Sequence, residues 1–370
     1  MGPASARRAT LLDRQLTWVL VPLGALAPRG VVMSRRPLRS LSARGRFARL
    51  RRVADVAIAH WQLGPVRLRA LTNWENATWR VDSAAGPCLL RVHRRGYRTA
   101  AQIEAELDWL DVLHQWGIPV GRARRTPGGP RVVSVEVAAL EGPRLCSLLK
   151  WTPGRIHRAP LPRHLHAQGV LMARLHDAAD AVRDCGPRPR FDPTGWFAPL
   201  ALPPGSPVDQ ALDAELRDLC AAAAERSHVL FQTLGTGPGR AGLIHADLHF
   251  RNLVFHGGAV TPIDFDDCGY GLYLYDLAIP LIRLRRLPER RLACAQALLA
   301  GYRSRRPLSV EDEARIHELA VLQTPGMFAY VAQRWPDPEV VAIVEEAISE
   351  ARVALRAWAD GHPEPMWAGT

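Results

Sequence analysis

The chain has 370 residues, 48% of them hydrophobic, which is enough to bury one large core or two unequal ones and excludes a disordered or collagen-like protein. The formal net charge of +12 suggests nucleic-acid binding, but the first 52 residues contain twelve arginines and one acidic residue, Asp13. Residues 53–370 therefore carry a net charge of only +1, which indicates a basic arm beside a nearly neutral folded part.

The basic segment 1–52 is expected to be a flexible arm. Its apolar run Leu16–Ala27 is too short to span a bilayer and contains Pro22. Two alternatives stay open: the run and the arginines before it resemble an export signal, although Pro28 follows the expected cleavage point, and Met33 is a second candidate start. The six cysteines are widely spaced without a C-x-x-C pair, which is typical of a reducing compartment, so we expect a cytoplasmic protein.

Residues 53–147 have the pattern of a small, mainly β lobe with one prominent helix. That helix is Thr99–Trp116, in which apolar residues recur at three- and four-residue spacing and Gly117 follows the end. A shorter helix and four strands are predicted around it, in this order: Val53–Trp61, Val66–Leu71, Ala77–Val81, Cys88–His93 and Arg131–Leu140.

Residues 148–370 are predicted to form a larger, mainly helical lobe. The predicted helices are His164–Ala179, Asp209–Leu230, Leu287–Tyr302, Val310–Gln323 and Pro338–Ala359. A β-rich passage, Gly242–Phe265, interrupts them, and the Pro- and Gly-rich stretch Cys185–Pro207 is predicted to be a long connection. The chain is therefore predicted to be an α+β protein with two lobes.

The passage Gly242–Phe265 carries the functional prediction. Asp247 and Asn252 lie five residues apart in a polar loop between two apolar strand stubs, and Asp264 follows twelve residues later. Phosphoryl transfer requires a protein to align the attacking hydroxyl and to hold metal ions against phosphate oxygens. Asp247 suits the first task, and Asn252 and Asp264 offer oxygen ligands of the kind that Mg²⁺ takes. Each residue alone is explained equally well as an ordinary turn residue, and only their combination predicts a phosphotransferase.

The stretch His245-Ala246-Asp247-Leu248-His249-Phe250-Arg251-Asn252 resembles the H-x-D-x-H-x-x-N loop of the aminoglycoside phosphotransferase superfamily of kinase-fold enzymes. Ile263–Asp267, followed by Gly269, Gly271 and Asp276-Leu277-Ala278, resembles that superfamily's metal loop and following helix. Arg91–Tyr97 and Trp151–Arg155 are similar to the stress response kinase A and type II homoserine kinase branch. The likeness extends over about residues 53–340.

The resemblance implies a bilobal protein-kinase-like fold that binds ATP and Mg²⁺ between a small β lobe and a larger helical lobe. Carried over residue by residue, it implies that Asp247 is the catalytic base and that Asn252 and Asp264 hold magnesium. The residues implied to support the catalytic loop are His245, Asp276 and, in one of two open interpretations, His249, which in the other contacts the substrate directly.

The first lobe departs from the superfamily's pattern where phosphate is expected to bind. No G-x-G-x-x-G precedes its strands, and the passage Thr72–Thr78 resembles a glycine-poor variant that includes Asn76. Because Lys150 is the only lysine of the chain, Arg91 takes the place of the phosphate-binding lysine, with a planar fork instead of a point charge. Glu106 is the residue expected to position it. The alternative is that Arg91 and Glu106 are a surface charge and part of a solvated helix face.

These observations predict an ATP- and Mg²⁺-dependent kinase acting on the hydroxyl of a small molecule, such as an amino alcohol, or of a protein serine or threonine. A second hypothesis is a nucleotide-binding regulator without turnover, suggested by Arg91 but opposed by the intact Asp247, Asn252 and Asp264. A third is nucleic-acid association through residues 1–50, which predicts salt-sensitive binding that truncation abolishes.

Overall fold

The computed structural model describes residues 38, 41–72, 76–138, 140–182, 184–334 and 338–361. Their contacts divide them into two compact units. The first comprises the described residues up to Ala100 together with Ala123–Trp151, and the second comprises Ala101–Arg122 and the described residues from Thr152 onward. Strands dominate the first unit and helices the second, so the predicted α+β class is confirmed. Residues 1–37 of the predicted arm lie outside the described residues.

The first unit contains a five-stranded antiparallel sheet. Its strands are β1 (Arg67–Thr72), β2 (Ala77–Asp82), β3 (Cys88–Val92), β4 (Val132–Val135) and β5 (Arg144–Lys150). They are ordered β1-β2-β3-β5-β4, with Trp79 of β2 opposite Leu90 of β3. Because side chains alternate between the two faces of a strand, Trp79, Val81, Leu90 and Val92 enter one buried cluster.

Helix α1 (Ala43–Ala59) covers the buried face of this sheet. Val53, Ala54 and Ala57 are fully buried, and Phe47 meets Trp79 edge to face with ring centroids 5.2 Å apart. The helix begins well before Val53, where the sequence pattern placed its start, so the prediction of a flexible arm is corrected for residues 43–52. The helix was missed because a segment rich in arginine is typical of a solvated arm. Arginine is nevertheless a good helix former, and its aliphatic stem can lie along apolar surface.

The second unit is mainly helical. Its helices are α2 (Ala100–Gln115), α3 (Pro162–Ala181), α4 (Pro207–Ala211), α5 (Ala214–Leu234), α6 (Tyr273–Arg283), α7 (Arg291–Arg303), α8 (Val310–Leu322), α9 (Thr324–Gln333) and α10 (Pro338–Ala359). The close crossing of α3 and α7 requires two glycines, because a Cβ atom at Gly169 or Gly301 would collide with main-chain oxygen of the facing helix. In the described part of the chain, no helix combines the length and the hydropathy needed to cross a membrane.

Short strands in the second unit frame the polar loop. They are β6 (Arg190–Phe191), β7 (Ala241–Ile244), β8 (Leu253–His256), β9 (Ala259–Pro262) and β10 (Gly269–Leu272). β10 lies between β6, which it pairs with in parallel, and β7, which it pairs with antiparallel. β8 and β9 form a separate hairpin. The loop 245–252 therefore leaves one sheet and enters the other, and both of its ends are fixed by strand pairing.

Other elements besides α1 also differ from the predictions, and β5 and α9 have no predicted counterpart. The predicted helix Asp209–Leu230 is divided between α4 and α5, because the Asp213 side chain caps a new helix by accepting from Leu216 N–H at 3.0 Å. The predicted strand Arg131–Leu140 is shorter in the structure and corresponds to β4, and the predicted connection Cys185–Pro207 contains strand β6. Residues Ala101–Arg122, which were predicted to belong to the first lobe, group with the second unit.

Candidate active site

One buried carboxylate holds the turn that follows β7. The side chain of Asp276, in the first turn of α6, is fully buried and accepts three hydrogen bonds. Its Oδ1 accepts from Ala246 N–H at 2.8 Å, and its Oδ2 accepts from His245 N–H at 3.3 Å and from His176 Nε2–H at 3.1 Å. Ala246 has a φ of 62°, a left-handed conformation that costs a non-glycine residue about 1–2 kcal/mol. The bonds to Asp276 stabilise this strained turn.

The charges around this turn follow from burial and hydrogen bonding. Burial by itself raises the pKa of Asp276, but the hydrogen bonds from His176 and Ala246 outweigh it, and the pKa is lowered. Burial lowers the pKa of His176, so its ring is neutral at pH 7. In that form Nε2–H donates to Asp276, and Nδ1 accepts from the Tyr302 hydroxyl at 3.0 Å. Asp276 is therefore an anion held by N–H donors.

His245 joins the loop to the segment that carries Asp264. Its Nδ1 accepts from Asp247 N–H at 3.4 Å, and its Nε2–H donates to the main-chain oxygen of Ile263 at 3.1 Å. Burial lowers the pKa of His245, which keeps the ring neutral and able to make both bonds. Ile263 N–H also donates to the main-chain oxygen of Asn252 at 2.9 Å. Asp264 thus directly follows a residue that is bonded to both ends of the loop.

Asp247 and Asn252 contact each other directly. Asn252 Nδ2 donates to the main-chain oxygen of Asp247 at 2.9 Å and to its carboxylate Oδ2 at 3.0 Å. The loop between them is closed by His249 N–H, which donates to Asp247 O at 2.8 Å, and by Asn252 N–H, which donates to His249 O at 2.8 Å. Since both amide hydrogens of Asn252 are directed at Asp247, its Oδ1 is presented as an acceptor on the other side.

The donor set fits a magnesium ion. The amide oxygen of Asn252 and the carboxylate of Asp264 are hard oxygen ligands, the type that Mg²⁺ prefers. Asp264 has a φ of 66°, a left-handed conformation that Asp adopts more readily than most residues. Across the described residues, no group of three or more His, Cys, Asp or Glu side chains is assembled to hold a metal. A metal ion at this site would therefore take few protein ligands and complete its shell with water and phosphate oxygens.

Two cationic or potentially cationic side chains flank the carboxylate of Asp247. His249 Nε2 lies 3.7 Å from Oδ2, and Arg283 Nη2 lies 3.7 Å from Oδ1. Burial lowers the pKa of His249 to about 4, so this histidine is neutral at pH 7 while Arg283 is charged. His249 Nδ1 also accepts from Arg251 N–H at 3.2 Å, as a loop-supporting residue does. Arg283 is 37% exposed and so stays accessible at the end of α6.

The predicted nucleotide residues are divided between the two units. Arg91 on β3 is 4% exposed and Glu106 on α2 is fully buried, so the alternative that they are a surface charge and a solvated face is wrong. Asn76 is also buried, and its Oδ1 accepts from Arg94 N–H at 3.0 Å, which joins the start of β2 to the segment after β3. Residues 73–75 of the glycine-poor passage lie outside the described residues.

The sequence reasoning missed three residues that support or flank the loop. They are His176, Arg283 and Gln168, whose Nε2–H donates to Leu248 O at 2.6 Å. His176 and Gln168 are fully buried on α3. Both are polar residues on the apolar face of a predicted helix, and this is the feature of the sequence that could have identified them as functional.

A comparison with known families decides the assignment. A model of the phosphotransferase enzyme family matches residues 67–308, which is well over half of the chain. The chain belongs to the phosphotransferase enzyme family. The predicted phosphotransferase class is therefore confirmed.

Relatives of known sequence agree with this family. A homoserine kinase of Pseudomonas aeruginosa is 32% identical over 265 residues, which are 70% of this chain and 78% of that protein. An uncharacterized protein of Deinococcus radiodurans is 32% identical over 269 residues, which are 70% of this chain and 75% of that protein. The predicted likeness to the homoserine kinase branch is confirmed.

Solved structures of two other kinases share the fold. A microcompartment-associated aminopropanol kinase is 27% identical, covers 85% of this chain and 99% of its own, and has a TM-score of 0.70. Amicoumacin kinase hAmiN in complex with AMP-PNP, Ca²⁺ and Ami has a TM-score of 0.71 at 20% identity, covering 89% of this chain and 98% of its own. The predicted kinase-like fold is confirmed.

Proposed function

We propose that this phosphotransferase moves the γ-phosphoryl group of Mg²⁺-bound ATP to a hydroxyl of a small molecule of the amino alcohol type, with a protein serine or threonine as the alternative acceptor. The pairing of Asn252 with Asp247 is the observation that supports this most. Two relatives, a homoserine kinase and an aminopropanol kinase, are named for amino-bearing alcohols and support a small acceptor. We place the activity in the cytoplasm, where ATP is available.

The two carboxylate oxygens of Asp247 have different tasks in this proposal. Oδ2 is held by the Asn252 amide, which leaves Oδ1 to accept a hydrogen bond from the acceptor hydroxyl. Oδ1 aligns that hydroxyl and takes its proton as the new oxygen–phosphorus bond forms and the bond between the γ-phosphorus and the bridging oxygen breaks, which releases ADP. A single orientation of the carboxylate matters because transfer depends on alignment of the attacking oxygen.

Asn252 and Asp264 are the proposed metal ligands. Asn252, through Oδ1, and Asp264, through its carboxylate, would hold the ion, which would neutralise charge on the phosphate oxygens. Asp276 and His245 keep the loop in place through their bonds to Ala246 N–H and Ile263 O. These supporting bonds restrict the loop before any substrate binds, so less ordering is required on binding.

For the nucleotide we propose roles for Arg91, Asn76 and Glu106. A buried guanidinium is costly unless it meets anionic or hydrogen-bonding groups, and phosphate oxygens match the fork of Arg91. Asn76 supports the strands on either side of it through Arg94 N–H. The buried carboxylate of Glu106 is proposed to act in nucleotide binding from helix α2.

The test is a transfer assay with the full-length protein, Mg²⁺ and γ-labelled ATP or GTP. The acceptors are amino alcohols, hydroxy amino acids, aminoglycosides, and proteins including the chain itself. We expect transfer to a small acceptor, and a fall in kcat of about 100-fold or more for Asp247→Asn and for Asp264→Asn. Asp218→Asn, at an exposed position on α5, is the matched control and should keep full activity.

Two outcomes contradict the proposal. Binding of ATP with neither transfer to any acceptor nor slow hydrolysis would support a regulator without turnover. Salt-sensitive nucleic-acid binding that disappears on removal of residues 1–50, in a protein without transfer activity, would support the nucleic-acid hypothesis.

A further inference from the structure

Arg188, in the connection before β6, is a buried arginine whose fork reaches four main-chain carbonyls. It is only 5% exposed. Nε donates to Cys268 O at 2.8 Å, and Nη2 donates to Asp266 O at 2.6 Å and to Phe265 O at 3.3 Å. Nη1 donates in the other direction, to Gln102 O at 2.7 Å. A buried guanidinium is stable only when its donors are satisfied, and here all three nitrogens bind carbonyl oxygen.

Three of these carbonyls belong to the segment that directly follows Asp264. This segment begins from a left-handed residue, since Asp264 has a φ of 66°, and such conformations persist only where the surroundings hold them. The main chain beside Arg188 is itself fixed, because Pro189 O accepts from Tyr270 N–H at 2.8 Å. A Cβ atom at Gly269 would collide with the same oxygen. The main chain at Arg188 is therefore fixed in place, and its side chain holds the segment after Asp264.

The fourth carbonyl belongs to helix α2. Gln102 lies in its first turn, one helical turn before the buried Glu106 on the same helix. Burial by itself lowers the pKa of Arg188, but nearby acidic groups outweigh it and the pKa is raised. Those groups are Cys268, Glu106, Asp266 and Asp267. Glu106 thus lies within electrostatic reach of the guanidinium that also holds the segment after Asp264.

We infer that Arg188 is a positioning residue that couples the Asp264 segment to helix α2, so that metal binding at Asp264 and the position of Glu106 depend on each other. The inference rests on the proposed function, because it takes Asp264 as a ligand of the nucleotide's metal ion. Any shift of the segment after Asp264 on metal binding is transmitted by the fork to Gln102 O, one turn from Glu106.

Arg144 provides a matched control within the same chain. It is 6% exposed, and its Nη1 donates to the carbonyls of Glu141, Gly142 and Pro143 at 2.9–3.3 Å. These carbonyls lie in its own loop in the first unit, so the hydrogen bonds that Arg144 makes to described residues close a local turn. Arg144→Met therefore removes a buried guanidinium without removing a link of the kind that Arg188 makes.

The experiment compares the wild-type chain with Arg188→Met, Arg188→Lys and Arg144→Met. Calorimetry gives the affinity for ADP with and without Mg²⁺, and thermal unfolding gives the stability of each variant. Hydrogen exchange on residues 100–107 and 264–268 follows the effect of adding Mg²⁺ to the ADP complex. We expect Arg188→Met to lose about tenfold of the Mg²⁺-dependent gain in ADP affinity and to lose the Mg²⁺-induced protection of residues 100–107. Arg144→Met should retain both despite a lower Tm.

Each outcome decides between the two claims. A wild-type chain whose ADP affinity is unaffected by Mg²⁺ removes the proposed function and this inference with it. A normal wild-type response that Arg188→Met keeps in full, or that Arg144→Met loses equally, overturns the inference alone. If Arg188→Met does not fold, Arg188→Lys decides the matter: it keeps the charge but loses the fork, and full Mg²⁺ coupling in this variant overturns the inference.

Discussion

Asn252 donates from one side-chain nitrogen to both the main-chain oxygen and the carboxylate Oδ2 of Asp247, at 2.9 and 3.0 Å. The amide thereby fixes which oxygen of Asp247 is left for a substrate and which of its own atoms is left for a metal ion. The proposed base and the proposed metal ligand are therefore oriented by each other before any ligand binds.

Asn252→Asp tests this mutual orientation. The substitution keeps an oxygen ligand for the metal but replaces the donor to Asp247 by a second carboxylate, so the two anions repel. We expect kcat to fall by about 100-fold or more, as measured by initial rates, and the Tm to fall as well because the two carboxylates repel each other, as measured by thermal unfolding. Near-normal activity in Asn252→Asp would mean that the amide's donor role is dispensable.

Asp276→Asn tests the support of the turn at Ala246. An amide offers a single acceptor oxygen, so at least one of the three donors that Asp276 now satisfies becomes an unpaired buried group. Such a loss costs about 1–3 kcal/mol, and we expect a comparable fall in the free energy of unfolding together with reduced kcat. Urea unfolding measures the first and initial rates the second. The control Asp218→Asn should change the unfolding free energy by less than about 0.5 kcal/mol.

Two partly buried histidines, His249 and His317, predict that acidification destabilises the fold. Burial lowers the pKa of His249 and of His317 to about 4, from an ordinary value of 6.5. The unfolded chain then binds protons that the folded chain does not, so stability is complete above 6.5 and is lost as the pH falls toward 4. Each of the two contributes a slope of at most about 1.4 kcal/mol per pH unit in this window.

Urea unfolding between about pH 7.5 and pH 5 checks the slope, because ordinary carboxylates scarcely titrate in that range. His317→Gln should remove about one proton from the pH dependence while leaving the transfer reaction intact. An unfolding free energy that is constant over this range would contradict the partly buried, neutral state of these rings.

Arg283 predicts how the charge of the acceptor affects its use. Its guanidinium lies 3.7 Å from Asp247 Oδ1, the oxygen that is proposed to accept from the acceptor hydroxyl. Two unit charges about 4 Å apart in water interact by about 1 kcal/mol, so Arg283→Gln should remove about that much repulsion from an ammonium-bearing acceptor and about that much attraction from a carboxylate-bearing one. The ratio should therefore shift by about 2 kcal/mol, or about 30-fold, in favour of the ammonium-bearing acceptor. The measurement is the ratio of kcat/KM for matched alcohols of the two kinds. Arg285→Gln changes the net charge equally, but Arg285 pairs with Glu350, so this control should leave the ratio unaltered.

The close crossing of α3 and α7 predicts that replacing Gly169 by a larger residue destabilises the fold. Gly169→Ala inserts a methyl group against the main-chain oxygen of Leu298, and overpacking of this kind costs about 1–3 kcal/mol. The control is Gly128→Ala, where the nearest atom to a new Cβ is Pro130 Cδ at 3.9 Å, and it should be close to neutral. Equal stability of the two variants by urea unfolding would show that the helices separate easily.

Those parts of the fold that depend on neighbouring residues in the chain could be predicted from the sequence. The helix Thr99–Trp116 differs by one residue at each end from α2, because apolar spacing and Gly117 define it within a single segment. The loop from His245 to Asn252 was identified for the same reason, since its residues lie close along the chain. The left-handed conformation of Asp264 was not foreseen, because it depends on bonds that Ile263 makes to residues elsewhere.

Contacts between residues that lie far apart in the chain could not be predicted from local sequence patterns. His176 reaches Asp276 from α3, and Arg283 reaches Asp247 from the end of α6. Helix α6 is buried from Tyr273 to Leu281 and contains only two charged residues, Asp276 and Arg283, so its sequence does not show the polar face of a surface helix and only the resemblance indicated it. α1 was shortened in the prediction because its first turns are rich in arginine, which composition alone assigns to a solvated arm.

Within the described residues, the hydrogen bonds of the Arg188 fork all go to peptide oxygens. Every amino acid supplies the same carbonyl, so positions 102, 265, 266 and 268 can drift in side-chain identity over evolution without weakening the link, provided that the backbone keeps its path. Position 188 has no such freedom, since only a guanidinium spans all four oxygens. Among divergent descendants of this chain, an invariant arginine facing variable neighbours is the pattern to expect.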